Sequence, residues 1–296
     1  MNLAHFGTFD VQNFGDCLFP HIIEARLPNH NFFHVSPVGG SPWPDALTTM
    51  SIEELRDKSI DGVVIGGGNI ISASRTSLKD YRLVSTHAYP TLWAGAAQLA
   101  IERDIPLVIN APGVMDSMHG LASEVARIIV NSSQYIAFRD QRSSALFCRD
   151  LQAKAKVIPD TVLEAARLLP KRLDLSNNVF GKSERIFVVH LKERNVIKGL
   201  DYVAKKLDFI AKKLEARPVL VAIGRCHNDE EIIYSIKSKM QSSPLILDEP
   251  NSLSEIVSSI ISSVAYVGSS MHGFIIAKEI SHYMKKTALS YGSHIL

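Results

Sequence analysis

The segment "VGSSMHGFIIA", residues 267–277, places two serines and a histidine between two apolar runs. The first run is typical of a strand that ends at a glycine, and the second of the start of a helix. The hydroxyls of Ser269 and Ser270 and the free N–H groups of a helix start favour an anion, while the imidazole of His272 suits proton transfer near neutral pH. The alternative is an ordinary serine cap beside a packed histidine.

A group of cationic side chains ends the segment "VVHLKERN", residues 188–195. His190, Lys192 and Arg194 alternate, so in an extended strand they share one face. Because burying such groups without an acidic partner is costly, we expect Lys192 and Arg194 to reach past the strand end. An arginine fork there suits a carboxylate or a phosphate, whereas the alternative is a solvated exit loop.

The N-terminal segment "GTFDVQNFGDCLFPHII", residues 7–23, carries Asn13, Gly15 and Asp16 before an amphipathic helix. Gly15 permits close approach of the backbone, and the two polar side chains could hold a sugar or a phosphate. Plain helix capping explains Asn13 and Asp16 equally well, so both interpretations stay open.

A triple glycine follows the apolar run of "VVIGGGNIISAS", residues 63–74. It is not a P-loop, because no Gly-Lys-Ser/Thr follows, and Ile71 stands where the dinucleotide fingerprint has its last glycine. We expect Gly67, Gly68 and Asn69 to line a ligand-binding turn. A tight strand-to-helix turn is the alternative.

Charged residues also stand at the ends of two further apolar runs, "FRDQRS" and "IPDTV". Arg139 and Asp140 could line a ligand site or form a structural ion pair, and Asp160 could simply begin a turn. The structural interpretation is favoured for both segments, because strand ends often collect aspartate and proline.

Short β-branched runs alternate with amphipathic stretches along the chain and would position these candidates. Strands are predicted over residues 61–68, 105–113, 134–140, 155–160, 185–192, 217–224, 244–250 and 264–270. This alternation is typical of doubly wound α/β sheets, whose ligands bind at the carboxyl ends of the strands. We therefore predict two Rossmann-like domains facing each other across a cleft, over residues 1–170 and 185–296, with a linker over 171–184.

The composition excludes several classes of protein. The 296 residues are 46% hydrophobic and 21% charged, and 32 basic against 30 acidic residues do not indicate nucleic-acid binding. Cys17, Cys148 and Cys226 lack metal spacing, which indicates a reducing compartment and no zinc site. Because the sequence shows no secretion signal and no apolar run near the roughly 20 residues of a membrane span, we expect a cytoplasmic protein.

Taken in order, these motifs resemble the polysaccharide pyruvyl transferase family. The resemblance rests on "NFGD", "GGG", "FRDQRS", "IPD", "VVHLK" and "VGSSMHGFIIA", which cover most of the chain. It implies a two-domain GT-B-like fold and transfer of the enolpyruvyl unit of phosphoenolpyruvate to two hydroxyls of a sugar, giving a cyclic ketal and phosphate. The implied partners are this donor and a saccharide acceptor, either the polymer or a lipid-linked precursor, with no further cofactor and no metal.

The resemblance also implies roles for the candidates. We expect His272 to be the general acid–base group and the two serines before it to bind the donor's phosphate, while Lys192 and Arg194 grip the donor from the second domain. The first domain is expected to hold the acceptor, with Asn13 and Asp16 on its hydroxyls. The remaining substrate-binding candidates are Gly15, Gly67, Gly68, Asn69 and Arg139.

Two departures from the family pattern leave alternatives open. The family often reads Ser-x-Arg-x-His, but here Met271 precedes the histidine and one expected cation is missing. After Ala277 the chain reads "KEISHYMKKTALSYGSHIL", which predicts a second domain shortened by a helix or more. The alternatives are a GT-B-type nucleotide-sugar glycosyltransferase and a catalytically silent sugar-binding relative.

Overall fold

The chain forms two compact units. The computed structural model describes residues 1–147, 154–175, 179–181 and 184–284. The first unit comprises Met1–Val11, Asp16–Pro42 and Ala46–Thr161. The second comprises Gln12–Gly15, Trp43–Asp45 and the described residues from Val162 onward.

A parallel sheet forms the core of the first unit. The strands are β1 (Asn2–Phe6), β2 (Asn31–Val35), β3 (Gly62–Gly66), β4 (Asn69–Ile71), β5 (Leu107–Asn110), β6 (Gly113–Val114), β7 (Tyr135–Phe138) and β8 (Lys156–Val157). The main sheet has the order β2-β1-β3-β5-β7-β8 and is parallel throughout, while β4 pairs with β6. The order reverses at β1, so the loops after β1 and β3 are where a ligand of this sheet would bind.

Helices connect these strands. They are α1 (Phe14–Arg26), α2 (Ile52–Leu55), α3 (Ala88–Pro90), α4 (Ala96–Glu102), α5 (Leu121–Ser132) and α6 (Gln141–Phe147). A π-helical turn over Thr91–Gly95 joins α3 to α4. Helix α1 follows the loop after β1, so its first turn lies at the carboxyl end of that strand.

The second unit has a smaller parallel sheet. Its strands are β9 (Ile186–His190), β10 (Arg217–Val221), β11 (Leu245–Leu247) and β12 (Tyr266–Gly268). Their order is β11-β10-β9-β12. The helices are α7 (Ala165–Leu168), α8 (Leu200–Leu214), α9 (Asp229–Lys237), α10 (Leu253–Ser262) and α11 (Met271–Met284).

Residue patterns explain these elements. Strands β3 (GVVIG) and β9 (IFVVH) are buried along their whole length, as expected for central strands of a parallel sheet covered by helices on both faces. Helix α8 buries Val203, Leu207 and Ala211, which recur at a spacing of four residues and pack into the core beside β9 and β10. The predicted doubly wound, Rossmann-like class is confirmed.

The division of the chain differs from the one drawn on the sequence. The first unit ends at Thr161 rather than at residue 170, because α7 packs against α11 and belongs with it to the second unit. The predicted linker, 171–184, is described only in part. The predicted shortening of the second domain rests on residues 278–296, of which 278–284 belong to the last described helix and 285–296 lie outside the described residues.

The N-terminal segment Trp43–Asp45 belongs to the second unit, where specific contacts hold it. The indole N–H of Trp43 donates to the Pro250 carbonyl at 2.8 Å. The Asp45 carboxylate accepts from the backbone N–H groups of Leu253 and Ser254, each at 2.8 Å. It therefore caps the N-terminus of α10, although it lies about 200 residues before that helix in the chain. Such contacts between distant residues leave no local signal in the sequence.

A buried histidine pair supports the glycine loop after β3. His5 and His34 face each other through their Nδ1 atoms at 3.1 Å, and His5 Nε2 lies 3.1 Å from the Gly66 carbonyl. His34 Nε2 lies 3.0 Å from the Glu24 carboxylate. Burial, aided by the charge of His34 and opposed by the hydrogen bond to Gly66, holds the pKa of His5 well below its usual value.

The His5 environment predicts a fall in stability at acidic pH. The unfolded chain takes up a proton at His5 below about pH 6.5, whereas the folded chain resists it, so the free energy of unfolding decreases as the pH falls. One such group contributes a slope of at most about 1.4 kcal/mol per pH unit. Urea denaturation between pH 8 and pH 5 should show a smaller loss in His5→Gln, while the exposed control His119→Gln should follow the parent. Equal losses in His5→Gln and the parent would contradict this account.

Candidate active site

The strand order of the second unit reverses at β9, which pairs with β10 and β12. Such a reversal is the usual binding point of a doubly wound sheet. His190 ends β9 and is the register partner of Gly268, which ends β12. The Ser269 N–H donates to the His190 carbonyl at 3.1 Å. The loops after these two strands therefore lie side by side.

The turn between β12 and α11 has the strand–turn–helix form that the sequence predicts. The Ser270 hydroxyl accepts from the Gly273 N–H at 3.2 Å, so Ser270 caps α11. The Ser269 hydroxyl is buried and has no hydrogen-bond partner among the described residues. Because a buried hydroxyl without a partner is costly, Ser269 stays a candidate for the predicted contact with a ligand.

His272 lies in the first turn of α11 and is 9% exposed. A Cβ atom built on Gly15 would lie 1.8 Å from its Nδ1. The close approach predicted at Gly15 therefore occurs, and the approaching group is the imidazole of His272. Any larger residue at position 15 must displace the ring.

The segment Gln12–Gly15 is fixed by backbone contacts to the loop after β10. Asn13 forms an antiparallel bridge with Gly224, and the Phe14 N–H donates to the Ile223 carbonyl at 2.8 Å. From the sequence, Asn13 and Gly15 are predicted to lie in the first domain, on the acceptor side. The structure differs, because these contacts make them part of the second unit.

Lys192 and Arg194 follow β9, but they do not continue it. The strand ends at His190, and Glu193–Asn195 form a 3₁₀ turn in which the Asn195 side chain accepts from the Lys192 N–H at 2.9 Å. The alternation that put all three cationic groups on one strand face is therefore wrong beyond His190. Lys192 is half-buried and Arg194 is exposed, as predicted for groups that extend past the strand end.

Both cations act on a histidine that the sequence analysis did not single out. His227 ends the 3₁₀ turn Arg225–His227, in the loop after β10. Burial is the largest cause of its lowered pKa, and the charges of Lys192 and Arg194 lower it further, while Asp229 raises it. The loops after β9 and β10 therefore bring these groups into one electrostatic environment.

A buried, hydrogen-bonded histidine–carboxylate pair lies near His227. His190 Nε2 lies 2.7 Å from Asp229 Oδ2, and both side chains are 1% exposed or less. Asp229 opens α9 and lies against Gly224, where a Cβ atom would be 2.8 Å from its Oδ2. A titratable group buried on β9 needs an acidic partner. For His190 that partner is Asp229, which lies 39 residues away in the sequence.

In the first unit, Asp16 and the glycine loop contact each other. The buried carboxylate of Asp16 accepts from the Thr8 hydroxyl at 2.9 Å, and a Cβ on Gly68 would lie 2.6 Å from its Oδ1. Gly68 has φ +72°, so its backbone also favours glycine. Gly67 faces the ring of Phe19 in the same way. Side chains of the protein itself thus fill the space beside both glycines, as in the tight-turn alternative.

Arg139 is held by neighbouring polar groups. Its guanidinium donates to the Asn69 side chain and lies 3.6 Å from the Asp140 carboxylate and 3.8 Å from that of Asp160. Its side chain is only 15% exposed. The ion-pair interpretation of Arg139 is confirmed, whereas its contact with a substrate stays a prediction.

Two classes of site find no match in the described ranges. No group of three or more histidine, cysteine or carboxylate side chains there is arranged to hold a metal ion. None of the helices in those ranges combines the length and the apolar character of a membrane span. The candidate site is therefore the set of loops at the carboxyl ends of β9, β10 and β12, together with Gln12–Gly15.

Comparison with protein families gives one match. The model of the family described as polysaccharide pyruvyl transferase matches residues 13–277, which is most of the chain. Among curated proteins, none matches the sequence significantly.

Comparison with solved structures supports the GT-B-like fold class. UDP-GlcNAc 2-epimerase from Methanocaldococcus jannaschii matches with a TM-score of 0.57 and 12% identity, over 99% of this chain and 89% of that chain. The Neisseria meningitidis enzyme bound to UDP-GlcNAc gives 0.52 and 13%, over 99% and 84%. The S. aureus MnaA–UDP structure gives 0.54 and 9%, over 98% and 78%. At these identities the likeness shows the fold alone, and the predicted GT-B-like class is confirmed.

The contact between Gly15 and His272 predicts an energetic coupling. Gly15→Ala should lower the free energy of unfolding by about 1–3 kcal/mol, because the new methyl overlaps the ring. In a His272→Ala background the same change should cost nothing or stabilise, since alanine is the better helix former. Urea denaturation of the four proteins gives the coupling as a double-mutant cycle.

A matched control is Gly95→Ala, a helical glycine whose added Cβ would meet its nearest atom at 3.3 Å. Its effect should be the same with and without His272. Equal costs of Gly15→Ala in the two backgrounds would show that the ring does not lie on Gly15.

Proposed function

Because the chain belongs to the polysaccharide pyruvyl transferase family, we propose that it transfers the enolpyruvyl group of phosphoenolpyruvate to two hydroxyls of one sugar in a polysaccharide or its lipid-linked precursor. The products are a cyclic ketal and inorganic phosphate. The observation that carries the proposal is the β12–α11 corner, where an unpartnered serine hydroxyl, a helix start and His272 meet. We place the reaction in the cytoplasm, where phosphoenolpyruvate is made.

The reaction balances without an oxidant or a reductant. Two carbon–oxygen bonds form at the central carbon of the enolpyruvyl group, and the bond from that carbon to the phosphate oxygen breaks. One of the two hydroxyl protons ends on the methylene carbon, which becomes a methyl group, and the other leaves with phosphate. Acid–base groups and anion-binding groups are therefore what the site must supply.

The donor's negative charges fit the groups at the β12–α11 corner. Its phosphate would accept hydrogen bonds from the free N–H groups at the start of α11, a helix of 14 residues, and from the Ser269 hydroxyl. Ser270 is less suited to that role because its hydroxyl caps the helix. Lys192 and Arg194 would neutralise the remaining charge, with the arginine fork on a carboxylate or a phosphate oxygen.

His272 is proposed as the general acid–base group at the phosphate end of the donor. The ring lies against Gly15 on one side, which restricts its orientation before a ligand binds. An imidazole restricted in this way can take the proton of the attacking hydroxyl and return it to the departing phosphate. The free-energy cost of orienting the ring is then met by folding rather than by substrate binding.

The acceptor is a saccharide that offers two neighbouring hydroxyls. Asn13 belongs to the same unit as His272 and is half-buried, so we place one sugar hydroxyl at its side chain. A second contact from Asp16 is weaker as a proposal, because its carboxylate already accepts from Thr8.

The activity is tested by phosphate release from phosphoenolpyruvate with a panel of terminal galactosides, glucosides and mannosides. Release with at least one of them, and a thermal shift with phosphoenolpyruvate but not with UDP, is the expected result. Stabilisation by UDP or GDP alone would favour a nucleotide-sugar glycosyltransferase. Sugar binding without release would favour a silent relative. Within the same assay, His272→Gln should fold normally, bind donor and lose turnover by about 10²-fold or more.

The donor grip makes a separate prediction. Arg194→Ala and Lys192→Ala should each weaken phosphoenolpyruvate binding by about tenfold or more, because each removes a charge-assisted hydrogen bond. Arg194→Lys should recover only part of the loss, since a fork becomes a point charge. Calorimetric titration measures the dissociation constants, with the exposed Lys205→Ala on α8 as the matched control. Unchanged affinity in both alanine variants would remove these residues from the donor site.

A further inference from the structure

The proposed reaction requires proton transfer at two places. The methylene carbon receives a proton at one end of the donor, while the attacking hydroxyl loses one beside the central carbon. In the first addition these two transfers belong to the same step, and a single imidazole cannot donate one proton and accept another at once. The site therefore calls for a second titratable group in the same unit, on another loop at the carboxyl end of the sheet.

His227 is such a group by its position in the fold. It lies in the loop after β10, and its backbone N–H donates to the Gly224 carbonyl at 2.8 Å. Gly224 pairs with Asn13, and two residues further along Gly15 touches His272. The stretch from Asn13 to Gly15 spans at most about 7 Å, so one short segment contacts both histidine-bearing loops.

The charges around His227 suit a group that works beside an anionic donor. Lys192 and Arg194, the proposed donor grip, act on it directly, and Asp229 acts in the opposite sense. The charged and titratable groups that face it are Lys192, Arg194, His190, Asp229, Glu193 and Glu231, the last two lining with it a cavity of about 200 Å³. The loop after β9 thus supplies both cations and the carboxylate of Glu193, whereas α9 supplies the carboxylates of Asp229 and Glu231.

The buried His190–Asp229 pair sets the position of this loop. Asp229 Oδ2 accepts from His190 and also lies against Gly224, while Asp229 Oδ1 is buried and has no hydrogen-bond partner among the described residues. His190 also holds the β12–α11 corner through its carbonyl and Ser269. One pair therefore connects the loops that carry His227 and His272.

We propose that His227 is the second proton-transfer group of the transferase and that Asp229 and His190 are its positioning residues. This inference rests on the proposed function. His227 in its protonated form gives its proton to the methylene carbon, and His272 takes the proton of the first hydroxyl. His272 then gives that proton to the departing phosphate, and His227 takes the proton of the second hydroxyl, which restores both groups.

This assignment predicts proton uptake on donor binding. Without donor, burial and the two cations keep His227 neutral near pH 7, because its pKa lies below the usual value. The donor's negative charges offset those cations and favour imidazolium. Calorimetric titration with phosphoenolpyruvate at pH 7, in buffers of different ionisation enthalpy, should show up to about one more proton taken up by the parent than by His227→Gln.

The kinetic test uses the same variant. His227→Gln should bind phosphoenolpyruvate within a few-fold of the parent and lose about 10²-fold or more in kcat, while the exposed control His119→Gln should not change. A kcat within a few-fold of the parent, or equal proton uptake in the two proteins, would overturn the role of His227. No release of phosphate by the parent itself would instead reject the proposed function.

The positioning pair has its own readout. Asp229→Asn keeps the shape of the side chain but removes the charge that raises the pKa of His227, so the NMR titration midpoint of the His227 ring should move to lower pH. His190→Gln should reduce kcat while leaving the donor's dissociation constant within a few-fold. An unmoved His227 midpoint in a folded Asp229→Asn protein would overturn the positioning role. If that variant does not fold, the outcome with His227→Gln decides the proposal.

Discussion

The antiparallel pairing of Asn13 with Gly224 is the contact on which the rest of the site depends. It joins residues more than 200 positions apart, and the Phe14–Ile223 hydrogen bond extends it. Through it the start of α1 becomes part of the second unit, and the Gly15 backbone comes to lie on the ring of His272. Loop-closure entropy grows by about 0.6 kcal/mol per doubling of the separation, so such a distant pairing costs roughly 3 kcal/mol more than one over five residues, and packing must offset that cost.

The His190–Asp229 pair is a second constraint, and its energetics indicate what it is for. Removing polar groups from water is expensive, and replacing a buried pair by apolar residues of similar volume is often neutral or stabilising. Truncating one partner is destabilising, because the buried polar atom of the other partner then loses its hydrogen bond. Stability alone therefore does not account for a pair at this depth. Its geometry does, since it fixes the loops after β9, β10 and β12 relative to one another within one sheet.

The features that follow from local pattern could be predicted from the sequence. Strand β9 is found within the predicted residues 185–192 because five consecutive residues are buried, and α8 follows from its apolar spacing. The β12–α11 turn with its serine cap could also be predicted, since capping involves neighbours in the chain. The capping of α10 by Asp45 was not, because the aspartate and the helix are 208 residues apart in sequence.

The candidate residues show the same limit. Lys192 and Arg194 were found by their charge at a strand end, but the 3₁₀ turn that redirects them was missed, because a strand and a turn both tolerate "KERN". His227 was missed because its importance lies in its surroundings. Nothing in "GRCHND" shows that Lys192, Arg194 and Asp229 would lie around it. The glycine at position 15 indicates that another group approaches closely, but the sequence does not show that this group is the ring of His272.

The missing cation in the Ser-x-Arg-x-His pattern can be understood from the same arrangement. The arginine of that pattern stands two residues before the histidine, where this chain has Ser270, and the first turn of α11 carries no arginine or lysine. In the proposed site, that turn would hold an anion through N–H groups and the Ser269 hydroxyl. These groups bind through directed hydrogen bonds and carry no net charge. The net charge comes instead from the loop after β9, which lies beside the corner because β9 and β12 are paired. Hydrogen bonding and positive charge thus come from different loops. His272 lies next to neutral hydrogen-bond donors, whereas His227 is influenced by both cations. The proposed reaction moves two protons in opposite directions, and a separation of this kind would suit its two proposed proton-transfer groups.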